Sequence, residues 1–131
     1  RAAKLGISDR FHFTGFLRGR EVSEMFALSD VYVMPSISEP FGISPLEAMQ
    51  ISVPTIISKQ SGVAEVLKYA IKVDFWDIDA MADAIYSILT QPALSKFSAE
   101  QGYEEVNTLK WVNAAAKLKV IYENTVNAAQ K

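Results

Sequence analysis

Four short apolar runs stand out along the first 75 residues: Phe11 to Phe16, Val31 to Met34, Pro54 to Ile57, and Ile71 to Phe75. Each is rich in β-branched or aromatic side chains and bounded by Gly, Pro, Ser or Asp, which predicts a strand. Val31-Tyr32-Val33-Met34 is apolar throughout, as expected of a strand covered on both faces of a parallel sheet. Between the strands the period changes. Val22, Met25, Phe26 and Ser29 follow helical spacing, and further helices are expected from near Pro45 and from about Val63 to Tyr69. Met81, Ala84, Ile85, Ile88 and Leu89 form the clearest amphipathic helix, with Asp77 as its N-cap. Pro92 closes that helix and opens the next, through Leu94 and Phe97. A last helix carries Trp111, Ala115, Leu118 and Tyr122 on one face. Alternation of strand and helix predicts an α/β fold, a Rossmann-like three-layer domain with a parallel sheet.

Length allows one domain, and the whole chain, 1–131, is read as a single partial one. Composition narrows the function classes. Half the residues are hydrophobic and 21% are charged, the balance of a globular protein. Lys plus Arg is 13 and Asp plus Glu is 15, and no basic cluster marks a nucleic-acid surface. With no cysteine, disulfides, thiolate catalysis and cysteine zinc sites are excluded. No apolar run approaches the roughly 20 residues that span a bilayer. A cytoplasmic location is expected, with peripheral membrane association of a full-length protein left open. The first residues, Arg1 to Gly6, lack a starting Met and read like a helix end, so the chain is expected to begin inside a larger protein.

The segment from Ser38 to Met49, Ser-Glu-Pro-Phe-Gly-Ile-Ser-Pro-Leu-Glu-Ala-Met, carries the candidate chemistry. It follows the second predicted strand, and ligands of open α/β sheets bind beyond the carboxyl ends of the strands. Ser44-Pro45-Leu46-Glu47 reads as a capping box, with Ser44 as N-cap and Glu47 reaching back. The helix start would offer free N–H groups to a phosphate, and Gly42 would let a ligand approach the backbone. Glu39 and Glu47 suit hydroxyl groups of a sugar or a ribose. Each residue alone also has a plain reading: Glu47 as a capping partner, Glu39 as a solvated loop residue, Gly42 as a turn.

Taken together, Glu39 and Glu47 with seven residues between them, in Glu39-Pro40-Phe41-Gly42-Ile43-Ser44-Pro45-Leu46-Glu47-Ala48-Met49, resemble the signature of retaining GT-B glycosyltransferases of the group 1 (family 4) type. Phe11-His12-Phe13-Thr14-Gly15-Phe16, the stretch Met25 to Ser36, Val53 to Ser58, and Ser61-Gly62-Val63-Ala64-Glu65 are similar to flanking segments of that family. Trp111 and Tyr122 fall where it has a closing helix. The resemblance implies part of the C-terminal, donor-binding domain. Glu39, the catalytic candidate, would contact donor-sugar hydroxyls. Phe41, Gly42, Ile43 and Ser44 would offer backbone N–H groups to sugar and diphosphate, Glu47 would hold the ribose, and Gly15 and Phe16 would border the base. The donor would be a nucleotide-diphosphate sugar, transferred with retention, without a metal or cofactor.

The pattern departs from the family in two places. Ser52-Val53-Pro54 replaces a Gly before the Pro, and no strand with a Gly-Arg turn and a following Lys precedes Phe11. The acceptor-binding N-terminal domain is also lacking, so the chain alone is expected to have no transferase activity. An exposed sheet edge is expected to favour self-association. A related GT-B synthase or phosphorylase, and a catalytically silent α/β interaction domain, are the alternatives. The single histidine, His12, is read as a packing residue in a strand, as are Trp76 and Trp111 outside one. Asp74, Asp77 and Asp79 lack the spacing of a calcium loop. Ser36, Ser38 and Ser44 lack a histidine partner for a hydrolase triad.

Overall fold

The computed structural model describes residues 1–129; the last two positions of the expected 1–131 domain lie outside the described residues. The elements run α1 (Arg20–Ala27), β1 (Tyr32–Met34), α2 (Ser44–Gln50), β2 (Thr55–Ser58), β3 (Ile71–Val73), α3 (Ile78–Thr90), α4 (Pro92–Thr108) and α5 (Trp111–Ala129), with short 3-10 turns before α1 and at Gly62–Glu65. The three strands form one parallel sheet in the order β1-β2-β3. Tyr32 pairs with Thr55 and Met34 with Ile57, while Ile57 pairs with Lys72 on the far side. All four residues of β2 are buried. Successive side chains of a strand point to opposite faces, so both faces of β2 are covered, as a layered α/β domain requires.

Ile57 belongs to a core cluster with Met34, Met49, Val63, Leu67 and Val106. It is built where α2 and α4 pack on each other and on the sheet. Gly102 of α4 permits that approach, because a Cβ there would stand 3.0 Å from Met49 Cε. Asp77 caps α3 as expected, accepting the Ala80 N–H at 3.0 Å. Glu105 of α4 ties down the end of the Gly62 segment by accepting the N–H groups of Lys68 and Tyr69.

Four expectations are corrected. Phe11 to Phe16 is not a strand: it makes no ladder bond, and Phe13 and Phe16 are 96% and 82% exposed. A strand needs a neighbour to take its N–H and C=O groups, and consecutive strands of a doubly wound sheet need not be neighbours. Among the described residues β1 pairs only with β2, so this segment has no partner. His12 is accordingly exposed and not packed. The helix expected from Val63 to Tyr69 is one 3-10 turn, Gly62–Glu65. Trp76 and Trp111 are 62% and 86% exposed; Trp76 meets Phe75 edge-on, and every described side chain of α5 is exposed.

The turn after α2 resolves the Ser52 departure. Val53 N–H bonds to Ala48 C=O at 3.0 Å and Ser52 N–H to Met49 C=O at 3.0 Å, the paired bonds of a Schellman ending. Ser52 stands at the left-handed position of that motif with φ 59°. The turn is kept without glycine, at a cost on the order of 1 kcal/mol for a Cβ in that conformation. Ser52→Gly is therefore expected to raise stability by about 0.5–1 kcal/mol, read as a higher urea midpoint with unchanged slope. A lower midpoint would refute this reading of the turn.

Candidate functional site

β1 ends at Met34 and delivers the chain into the loop that carries Glu39, beyond the carboxyl ends of the strands. That loop is held by a second one. Ser61 forms a parallel bridge with Glu39, Gly62 N–H donates to Glu39 C=O at 2.9 Å, and Val63 N–H donates to Phe41 C=O at 2.8 Å. The second loop is held in turn by the end of β3. Gln60 Nε2 donates to Asp74 Oδ1 at 2.9 Å, Lys59 Nζ meets Asp74 Oδ2 at 2.8 Å, and Phe75 N–H donates to Gln60 Oε1 at 3.3 Å. The hydrogen bond from Lys59, and then that from Gln60, holds the Asp74 carboxyl below the ordinary carboxylate range.

At the start of α2 the capping box is not formed. Ile43 is the N-cap, Ser44 is the first helical residue, and no side chain caps the end. Pro45 lies in the first turn as expected, and the Leu46 and Glu47 N–H groups return to Ile43 C=O. The Ser44 hydroxyl is instead paired with the Tyr32 hydroxyl at 2.7 Å, across from β1. A tyrosine on the neighbouring strand outcompetes the local cap. The Tyr32 ring is fixed edge-on by Phe26 of α1, centroids 5.4 Å apart. Burial raises the Tyr32 phenol above its usual pKa against the opposing pull of the Ser44 bond, and the charges of Glu47 and Glu39 add to the rise. The tyrosine hydroxyl thus feels both glutamates.

Neither glutamate has a side-chain hydrogen bond or ion pair among the described residues. Glu47 is exposed and Glu39 half-buried. Gly42 has φ 89°, and a Cβ there would press on Glu39 Cγ and Met34 Cε, each at 3.1 Å. Glycine is thus required at this turn both for its φ and for space. Phe41, Ile43 and Glu47 line an open groove of about 920 Å³, together with Leu109, Trp111 and Lys117. That volume lies within the range of small-molecule sites. Gly15 and Phe16 do not line this groove; the Phe16 ring meets the Arg18 guanidinium at 5.0 Å instead. Glu39, Phe41, Gly42, Ile43, Ser44 and Glu47 thus share one loop–helix unit. In the sequence Tyr32 reads only as a strand residue, Asp74 only as a capping or solvated carboxylate without calcium-loop spacing, and Gly62 only as part of the Ser61-to-Glu65 segment, while Gln60 carries no signal.

A parallel α/β sheet with an ordered loop–helix unit beyond a strand's carboxyl end defines a domain of the Rossmann-like class. The chain belongs to the family of glycosyl transferases group 1, whose model matches residues 1–105. It is 27% identical over 125 residues to an uncharacterized glycosyltransferase of Methanocaldococcus jannaschii, covering 92% of this chain and 32% of that protein. The solved sucrose-phosphate synthase of Thermosynechococcus elongatus is 29% identical, with a TM-score of 0.80, covering 97% of this chain and 33% of that one. Anabaena HepE, solved with UDP, shares the fold at a TM-score of 0.83 and 19% identity, over 94% of this chain and 35% of that one. The chain spans about a third or less of the length of the curated relatives it matches. The fold is that of GT-B glycosyltransferases, in part.

Proposed function

We propose that this chain is the donor-binding part of a longer transferase that moves a sugar from a nucleotide diphosphate with retention of configuration. One observation carries the reading: Glu39 and Glu47 stand on one ordered loop–helix unit, beyond the end of β1, and neither carboxylate has a side-chain partner among the described residues. In this reading Glu39 accepts hydrogen bonds from the donor sugar and Glu47 from the ribose. The backbone N–H groups of Phe41, Gly42 and Ile43, with Ser44, face sugar and diphosphate. The leaving diphosphate is stabilised by fixed donors, the electrostatic kind of catalysis, and no metal or cofactor is needed. Basic groups from an upstream segment complete the site, and an N-terminal domain brings the acceptor. The chain by itself is inactive in turnover. HepE has been solved with UDP and with UDP-glucose, which supports a nucleotide sugar as the ligand class. Among the described residues, no helix is long and apolar enough to cross a membrane.

The test is calorimetric titration with UDP-, GDP- and ADP-sugars, on this chain and on the protein extended upstream to the length of its relatives. Glu47→Ala is expected to weaken the nucleotide itself, and Glu39→Ala to weaken the intact sugar nucleotide but not the free nucleotide. Each loss should be on the order of 1 kcal/mol, about fivefold to tenfold in affinity. If no donor binds either form, the silent interaction domain becomes the better reading.

A further inference from the structure

Tyr32 and Ser44 lie twelve residues apart, on β1 and at the start of α2, yet their hydroxyls meet at 2.7 Å. A phenol is a better donor and a poorer acceptor than an aliphatic alcohol, so Tyr32 donates and Ser44 Oγ accepts. Ser44 then keeps its own proton free, and no other partner for its hydroxyl is found among the described residues. The Tyr32 ring has little freedom to turn away: Phe26 meets it edge-on, centroids 5.4 Å apart at 85°, and the residue packs against the core cluster. The acceptor of the pair is therefore fixed from a rigid strand, and its own proton is left for a partner outside the pair.

We propose that Tyr32 is a positioning residue that holds the Ser44 hydroxyl as a proton donor to an anionic oxygen of the ligand. This rests on the donor-binding reading above, and the anionic group is then the diphosphate. The ligand's base and ribose are untouched by the pair. Tyr32 does not contact the ligand; it acts through Ser44.

The experiment compares UDP, GDP and ADP with their nucleosides, titrated into the protein at its relatives' length. The variants are Tyr32→Phe, which keeps the ring and its packing on Phe26, Ser44→Ala, and the two together; Ser44→Thr keeps a hydroxyl. Tyr32→Phe and Ser44→Ala are each expected to weaken the diphosphate about tenfold and leave the nucleoside unchanged, and the pair of changes to cost no more than Ser44→Ala alone. Ser44→Thr should retain most of the affinity. A merely structural role would move the unfolding midpoint but not this diphosphate-against-nucleoside difference. Binding of the diphosphate at full strength by Tyr32→Phe, or equal losses for nucleoside and diphosphate, overturns the proposal alone. Failure of the unaltered protein to bind any of the three nucleotides sinks the donor-binding reading and this proposal with it.

Discussion

Gly62→Ala is expected to dislocate the loop that carries Glu39. A Cβ at Gly62 would overlap the Pro40 carbonyl oxygen and stand 2.9 Å from the carbonyl carbon and 3.2 Å from Phe41 Cα. All three are backbone atoms, so no side chain can rotate to make room. The overlap lies between two short bonds that join the loops, Gly62 N–H to Glu39 C=O at 2.9 Å and Val63 N–H to Phe41 C=O at 2.8 Å. Admitting the methyl group must lengthen both. Overpacking of this kind costs about 1–3 kcal/mol, and each weakened hydrogen bond adds up to about 1 kcal/mol. Urea unfolding should show a loss of about 2–4 kcal/mol, and affinity for a sugar nucleotide should fall more than the nucleotide's own affinity, because Glu39 moves with the loop. A variant with unchanged midpoint would mean that the two loops are not in fixed contact.

The second large effect concerns the floor beneath the site. Ile57→Ala should cost about 2–5 kcal/mol. The side chain is fully buried at the centre of the three-stranded sheet, opposite Met34 on one side and Lys72 on the other. Its cavity would open among Met34, Met49 and Leu67, and Met34 is the residue whose side chain lies under Gly42. A loss of that size is a large share of the roughly 5–15 kcal/mol that holds a domain folded. Chemical unfolding measures it directly. A loss under about 1 kcal/mol would mean that the core can collapse around the missing atoms, against the close packing described here.

Periodicity was enough to place three of the four strands and most of the helices, because Tyr32–Met34, Thr55–Ser58 and Ile71–Val73 are short apolar runs closed by polar turns. The exception, Phe11 to Phe16, has an equally good strand pattern. Whether such a run pairs depends on a neighbouring strand, and that is a property of the sheet and not of the run. The glutamate spacing led to the candidate loop, and the structure orders Glu39 to Glu47 as one loop–helix unit. Ser44 shows the limit of local rules. Its neighbours spell a capping box, but Tyr32, invisible from that stretch, takes its hydroxyl. The Gln60–Asp74 brace was missed for the same reason: a hydrogen bond across fourteen residues leaves no spacing signature. Ser52 shows the converse. The family's glycine is missing here, and the backbone forms the turn anyway with a serine at φ 59°.

The Glu39–Glu47 unit is proposed to bind a nucleotide sugar. Amide resonances followed during titration with UDP-glucose, GDP-mannose and ADP-glucose, in the protein extended to its relatives' length, test it most directly. Saturable shifts at residues 39–47 with one of these donors, lost in Glu47→Ala, are the predicted result. Shifts confined to other surfaces, or no saturable shift with any donor, would contradict it.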